Sequence, residues 1–129
     1  NHGKMIRDFT YIDDIAEGVV RVLDRTATAD PAYDPLKADP ARSNAPYRVF
    51  NIGNNSEISI ADLAKQVREL CGSSSEITLI PYEKAYEEGF EDMHRRVPDV
   101  SKIKRTIGWQ PTIALSQILT DVIEYFRGQ

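Results

Sequence analysis

A single cysteine, Cys71, stands in the 129-residue sequence, so an internal disulfide and a thiolate metal cluster are both excluded. One lone thiol suits a reducing compartment, and a cytoplasmic setting is the expectation. Histidine is nearly as scarce: His2 and His94 are far apart, and no Ser/His/Asp catalytic set is suggested. Unbroken apolar runs extend for only a few residues, too short to span a bilayer. The start, Asn1-His2-Gly3-Lys4, has neither signal-peptide character nor an initiating methionine, and a fragment of a longer protein is expected. Positive charge is not in excess either. Sixteen basic against 20 acidic side chains leave a formal net charge of −4, which gives no general attraction to nucleic acid or anionic membrane. A Gly-rich strand-to-helix turn of the dinucleotide-binding type is missing, because Gly53-Asn54-Asn55 is too short and lacks the glycine spacing. Metal binding would have to come from scattered carboxylates, and none is expected.

What is present reads as one α/β domain over residues 1–129, a small sheet with flanking helices. Residues 7–12 suggest a short strand or extended entry. Ile15, Val19, Val20 and Leu23 follow at helical spacing, and Asp14 with Glu17 fits a capping box, which places a helix at about 15–25. Asp13 and Asp14 are accordingly read as caps rather than as ligands or a catalytic pair. From about 26 to 46 the chain is rich in Pro, Ala and Asp, with prolines at 31, 35, 40 and 46 that forbid a helix or interior strand; a surface loop is expected. Residues 47–52 and 77–81 read as strands. Ser59 and Gly72 bracket a helix with Ile60, Leu63, Ala64, Val67 and Leu70 on one face. Asp99 or Ser101 caps a short helix ending at Gly108, and a final amphipathic helix carries Leu115, Ile118, Leu119, Val122, Ile123 and Phe126.

The arginines offer the clearest chemistry. Guanidinium groups stay charged and grip phosphate through parallel hydrogen bonds, so Arg7 and Arg95-Arg96, drawn from separate segments, are what a diphosphate site needs. Composition by itself equally allows solvated surface arginines paired with the surplus acids. Phe90, between Gly89 and Glu91, reads either as a base-stacking ring or as a loop anchor. His94 reads as a solvated loop residue, Cys71 as a small packing residue, and Trp109 as a core anchor.

Several blocks resemble one family. Arg7-Asp-Phe-Thr-Tyr-Ile-Asp-Asp-Ile-Ala-Glu-Gly18 is similar to the segment with which NAD-dependent sugar-nucleotide epimerases and dehydratases, the extended short-chain dehydrogenases, enter their substrate-binding part. Residues 47–55 resemble the next block, most closely in UDP-glucuronate 4-epimerases, and residues 98–111 resemble the C-terminal signature. Residues 89–98 are similar to a loop of UDP-glucuronate decarboxylases. The blocks keep family order and cover the chain apart from the loop near 26–46.

The resemblance implies the carboxy-terminal, nucleotide-sugar-binding part of such an enzyme, without the Rossmann half that holds NAD and supplies a catalytic tyrosine and lysine. The missing glycine turn agrees. It further implies a UDP-sugar or related ligand, docking on the protein's own N-terminal Rossmann domain, and a homodimer for the full-length protein. No catalytic residue and no bound NAD are expected in these 129 residues, which are expected to be inactive alone. By the same resemblance Arg7 contacts the diphosphate, and Arg96 lies near the phosphates or the sugar, with Arg95 as second candidate. Phe90 and Tyr86 lie against the base, and Asp92 lies near the nucleotide. Epimerisation, decarboxylation and 4,6-dehydration remain open, as does a non-catalytic nucleotide-sugar-binding module.

Overall fold

The structure, a computed structural model, describes residues 2–37, 39–86 and 92–129. Its sheet has three short strands in the order β2-β1-β3. The central strand β1 is Ile6–Asp8. Against it β2, Glu57–Ser59, runs antiparallel with Arg7 opposite Ile58. On the other edge β3, Arg95–Arg96, runs parallel with Arg7 opposite Arg96. Side chains alternate along a strand, so Ile6, Asp8, Glu57 and Arg95 share one face and Arg7, Ile58 and Arg96 share the other.

Asp8 sets the register. Its carboxylate accepts from the backbone N–H of Asn54 at 2.8 Å and of Ser56 at 2.9 Å, folding the turn that delivers β2. Gly53 is buried in that turn, and a Cβ there would overlap the ring of Pro98. The backbone must pass close to Pro98 at this point, which only glycine allows.

Helix α1 spans Ile12–Leu23 and begins three residues earlier than its apolar spacing suggests. Asp14 therefore sits inside the first turn and caps nothing, a correction to the capping-box reading. Its buried carboxylate accepts instead from the N–H of Thr112 at 3.1 Å, the hydroxyl of Thr112 at 2.9 Å and the N–H of Ile113 at 3.0 Å. The Trp109 indole N–H donates to the Asp14 carbonyl at 3.2 Å. Gly18 lies under that indole, where a Cβ would approach to 3.1 Å. Trp109, Ile103 and Val100 are the buried apolar residues, with Val22, Phe50, Ile52 and Ile107 packed on them.

Helix α2, Ile60–Cys71, begins where Ser59 accepts from the Asp62 N–H at 3.0 Å and ends at Gly72 with φ +62°. Short α3 is Tyr82–Ala85. Helix α4, Ser101–Ile107, has Val100 rather than Asp99 or Ser101 at its N-cap, with no side-chain cap bond. Asp99 just before it accepts from the Ser101 N–H at 2.8 Å, and the helix stops at Gly108 with φ +71°. Hydrogen bonding to the Ser101 backbone holds the Asp99 carboxyl below its usual range. Helix α5 is Leu115–Arg127.

The loop near 26–46 has neither helix nor strand among its described residues. Asp30 gathers it: the carboxylate meets Arg48 at 3.1 Å and Arg42 at 3.4 Å, and Lys102 donates to the Ala41 carbonyl at 2.5 Å. The Ala32 backbone N–H, then the two guanidinium groups, hold Asp30 below its usual pKa.

Two expected strands are absent. Residues 47–52 and 77–81 join no ladder; the places beside β1 go instead to Glu57–Ser59 and Arg95–Arg96. Phe50 and Ile52 turn to the core, while Leu79 and Ile80 stay exposed. Among the described residues no helix is long and apolar enough to cross a membrane.

Removing the Asp14 carboxylate orphans two backbone donors and a hydroxyl. Asp14→Ala should cost about 2–4 kcal/mol in urea unfolding at unchanged m-value, whereas exposed Asp13→Ala should stay within about 0.5 kcal/mol. Equal effects of the two substitutions would contradict the assignment.

Candidate functional site

One cavity of about 460 Å³ opens between the N-terminal segment, β1, the start of α2 and the chain on either side of α3. Its size is that of a small-molecule pocket. Arg7, Tyr86 and Asp92 supply polar atoms, and Met5, Ile60, Leu79 and Ile80 supply an apolar wall.

Arg7 reaches the cavity from the middle strand and is only 7% exposed. Its guanidinium donates to the Ile6 carbonyl at 2.7 Å and to the Asp92 carboxylate at 2.6 Å. A guanidinium carries five N–H donors, so these bonds leave donors over for a ligand. The start of α2 lies beside the cavity, but its first backbone donors are taken. Ile60 N–H donates to Met5, Ala61 N–H to Gly3 and Asp62 N–H to Ser59, at 3.0, 2.9 and 3.0 Å. These N–H groups are therefore not free to meet an anion at the cavity, and Arg7 supplies the positive charge in its lining.

Of the residues singled out in the sequence, Arg7, Tyr86 and Asp92 meet at this cavity. Arg96 stands opposite Arg7 in the parallel register, on the same face of the sheet, and is exposed outside the cavity lining. Arg95 faces the other way. Its Nε–H donates to Glu57 at 3.0 Å, and its terminal nitrogen joins the same oxygen. That hydrogen bond and the Arg95 charge hold the Glu57 carboxyl below its usual range, and Glu57 in turn raises Arg95. Phe90 lies outside the described residues. Among the described residues no group of His, Cys, Asp and Glu is placed to hold a metal ion.

Tyr33 and Lys37 stand in a Tyr-x-x-x-Lys spacing. They lie in turns, with Lys37 N–H donating to the Asp34 carbonyl at 3.1 Å, so no helix aligns them on one face. Sequence reasoning missed the apolar wall. Leu79 and Ile80 carry a signal, an apolar run before Pro81, but its pattern suggests a strand. Two further hollows are each lined by one arginine, Arg68 and Arg48, without a carboxylate paired to it among the described lining residues. One of about 480 Å³ runs along α2 beside residues 73–77, and one of about 210 Å³ lies between α1 and residues 48–52.

The family described as GDP-mannose 4,6 dehydratase matches residues 1–122. A UDP-N-acetyl-alpha-D-glucosaminuronate decarboxylase of Bacillus cytotoxicus is 32% identical over 125 residues, covering 97% of this chain and 33% of its own length. UDP-glucuronic acid decarboxylase 1 of Xenopus tropicalis is 29% identical over 125 residues, covering 97% of this chain and 24% of its own length. Among solved structures, UDP-glucose 4-epimerase of Thermotoga maritima with UDP-glucose superposes with a TM-score of 0.72 at 25% identity, covering 99% of this chain and 33% of that one. UDP-glucuronic acid 4-epimerase of Bacillus cereus in complex with NAD gives a TM-score of 0.65 at 26% identity, covering 97% of this chain and 31% of that one. The chain thus spans about a third or less of the length of these relatives.

The Glu57–Arg95 pair bears on stability alone. A lowered carboxyl contributes stability above its ordinary pKa and loses it as pH falls through the folded value. Glu57→Gln should lower the melting temperature slightly at pH about 7, less in about 1 M salt, and not at all at pH about 2. A difference that persists at pH about 2 would contradict an ionic origin.

Proposed function

The chain belongs to the GDP-mannose 4,6 dehydratase family, and on that premise we propose that its 129 residues form the substrate-binding domain of an NAD-dependent nucleotide-sugar epimerase/dehydratase. The preferred activity of the whole protein is that of a UDP-glucuronate 4-epimerase. Decarboxylation of a UDP-hexuronate is the second reading, favoured by the 32% identity to the Bacillus cytotoxicus decarboxylase.

One observation carries the proposal: a nearly buried, permanently charged Arg7 opens onto a cavity that is otherwise lined largely by apolar side chains and by Tyr86. A nucleoside diphosphate has the matching halves. Its diphosphate is met by Arg7, reinforced by Arg96 on the same sheet face, and its flat base lies against the apolar wall and the Tyr86 ring. Arg95, committed to Glu57 on the opposite face, is left out of the ligand set. NAD would sit on another part of the protein, since the glycine turn that cradles a dinucleotide is missing from these residues.

Exposed surface supports a docked neighbour within the same protein. The chain exposes 9604 Å², against roughly 6,900 Å² for a compact protein of its mass. Part of the exposed apolar surface lies on α1, where Ile12, Val19, Val20 and Leu23 are all exposed. A dinucleotide-binding domain is the proposed occupant of that face.

In the protein expressed from its full reading frame, Arg7→Ala should weaken UDP-sugar binding by about 2–5 kcal/mol in calorimetric titration. Arg96→Gln should weaken it about tenfold, and Arg95→Gln by less than about twofold. Unchanged affinity in the folded Arg7→Ala protein would remove Arg7 as a phosphate ligand and the proposal with it.

A further inference from the structure

Arg7 already has an anion. The Asp92 carboxylate sits 2.6 Å from its terminal nitrogen, and both side chains are largely withdrawn from water, at 9% and 21% exposure. Asp92 also lines the cavity, so its charge lies inside the volume a ligand would fill. A diphosphate gripping the same guanidinium would be held well within the screening length of about 8 Å, too close for salt to mask the repulsion from Asp92.

Asp92 belongs to neither α3 nor β3 but to the connection between them. Two residues after Asp92 the backbone is tied to the sheet, where Ile6 N–H donates to the His94 carbonyl at 2.8 Å. The carboxylate is therefore presented to Arg7 by a short tether and does not depend on a ligand to place it.

We propose that Asp92 is a built-in competitor for the Arg7 guanidinium, occupying the cation until a diphosphate displaces it and thereby weakening the binding of that ligand. The inference rests on the reading of the cavity as a nucleoside-diphosphate site and reverses the expected sense of Asp92 within it. The acid near the nucleotide opposes the ligand rather than holding it. Such a competitor favours release: a product nucleotide sugar leaves more readily when an intramolecular carboxylate stands ready to take back the guanidinium.

The test measures affinity for uridine diphosphate and for inorganic pyrophosphate, by calorimetry, on the protein expressed from its full reading frame. Asp92→Asn keeps the shape and the acceptor oxygen while removing the charge; Asp92→Ser is a second variant that removes both charge and reach. Both should bind each probe about tenfold more tightly than the unsubstituted protein, and the gain should disappear when either is combined with Arg7→Gln. Near-UV circular dichroism confirms that each variant retains its fold. Equal or weaker binding by Asp92→Asn, with Arg7→Gln still impairing binding, would overturn the competitor and make Asp92 a support for Arg7 or for the ligand. No loss of affinity in Arg7→Gln would instead overturn the site reading itself.

Discussion

Two adjacent residues of one short strand must face opposite sides of a sheet, and the rest of the structure is arranged around that constraint. Asp8 turns to one side and folds residues 53–56 into the turn that starts β2. Arg7 turns to the other and becomes the charged wall of the cavity. A slip of one residue would exchange these roles, placing a carboxylate where the cation stands and leaving the turn without its acceptor. The register is therefore a functional quantity as much as a structural one. Arg96 depends on it too, since its neighbour Arg95 faces the opposite side and is engaged by Glu57.

Around that strand the apolar core is thin, with Val100, Ile103 and Trp109 as its buried members. Polar ties do much of what a larger core does elsewhere. Asp14 binds α1 to residues 112 and 113, Asn54 donates to the Phe9 and Ile113 carbonyls at 3.1 and 3.3 Å, and Asp30 draws together the proline-rich loop. Each replaces water on groups that would otherwise be left unpaired, so its loss costs more than the bond itself contributes. Several residues in the blocks that resemble the epimerases and dehydratases act in this structural way. Asp8, Asp14, Gly18, Gly53 and Trp109 hold the frame, whereas Arg7 and Asp92 open onto the cavity.

Helices were legible because their signals are local. Ser59 and Gly72 mark the ends of α2 through a hydroxyl acceptor and a positive φ, and both act within one turn of their own position. Strands were less so, because a strand is defined by its partner. The segment from Arg7 does begin within β1, but the apolar runs at 47–52 and 77–81 read as strands, whereas β1 pairs with Glu57–Ser59 and Arg95–Arg96, whose polarity hides them. Asp14 failed for the same reason in reverse: a local capping rule fitted it, but its partners lie almost a hundred residues away. Arg7 and Arg96 were first singled out as charged groups on separate segments, and only the family resemblance raised them above ordinary surface arginines. The apolar wall of the cavity depends on residues 79 and 80 remaining unpaired, which no local pattern encodes.

On the proposed reading one cavity would take the diphosphate on Arg7 and the base against Tyr86 and Ile80. A crystal structure of the full protein soaked with a UDP-sugar tests it most directly. The account predicts phosphate oxygens within hydrogen-bond distance of the Arg7 guanidinium and the uracil ring in contact with the apolar wall. A nucleotide bound elsewhere, with Arg7 still engaged by Asp92 alone and the cavity filled by solvent, would contradict it.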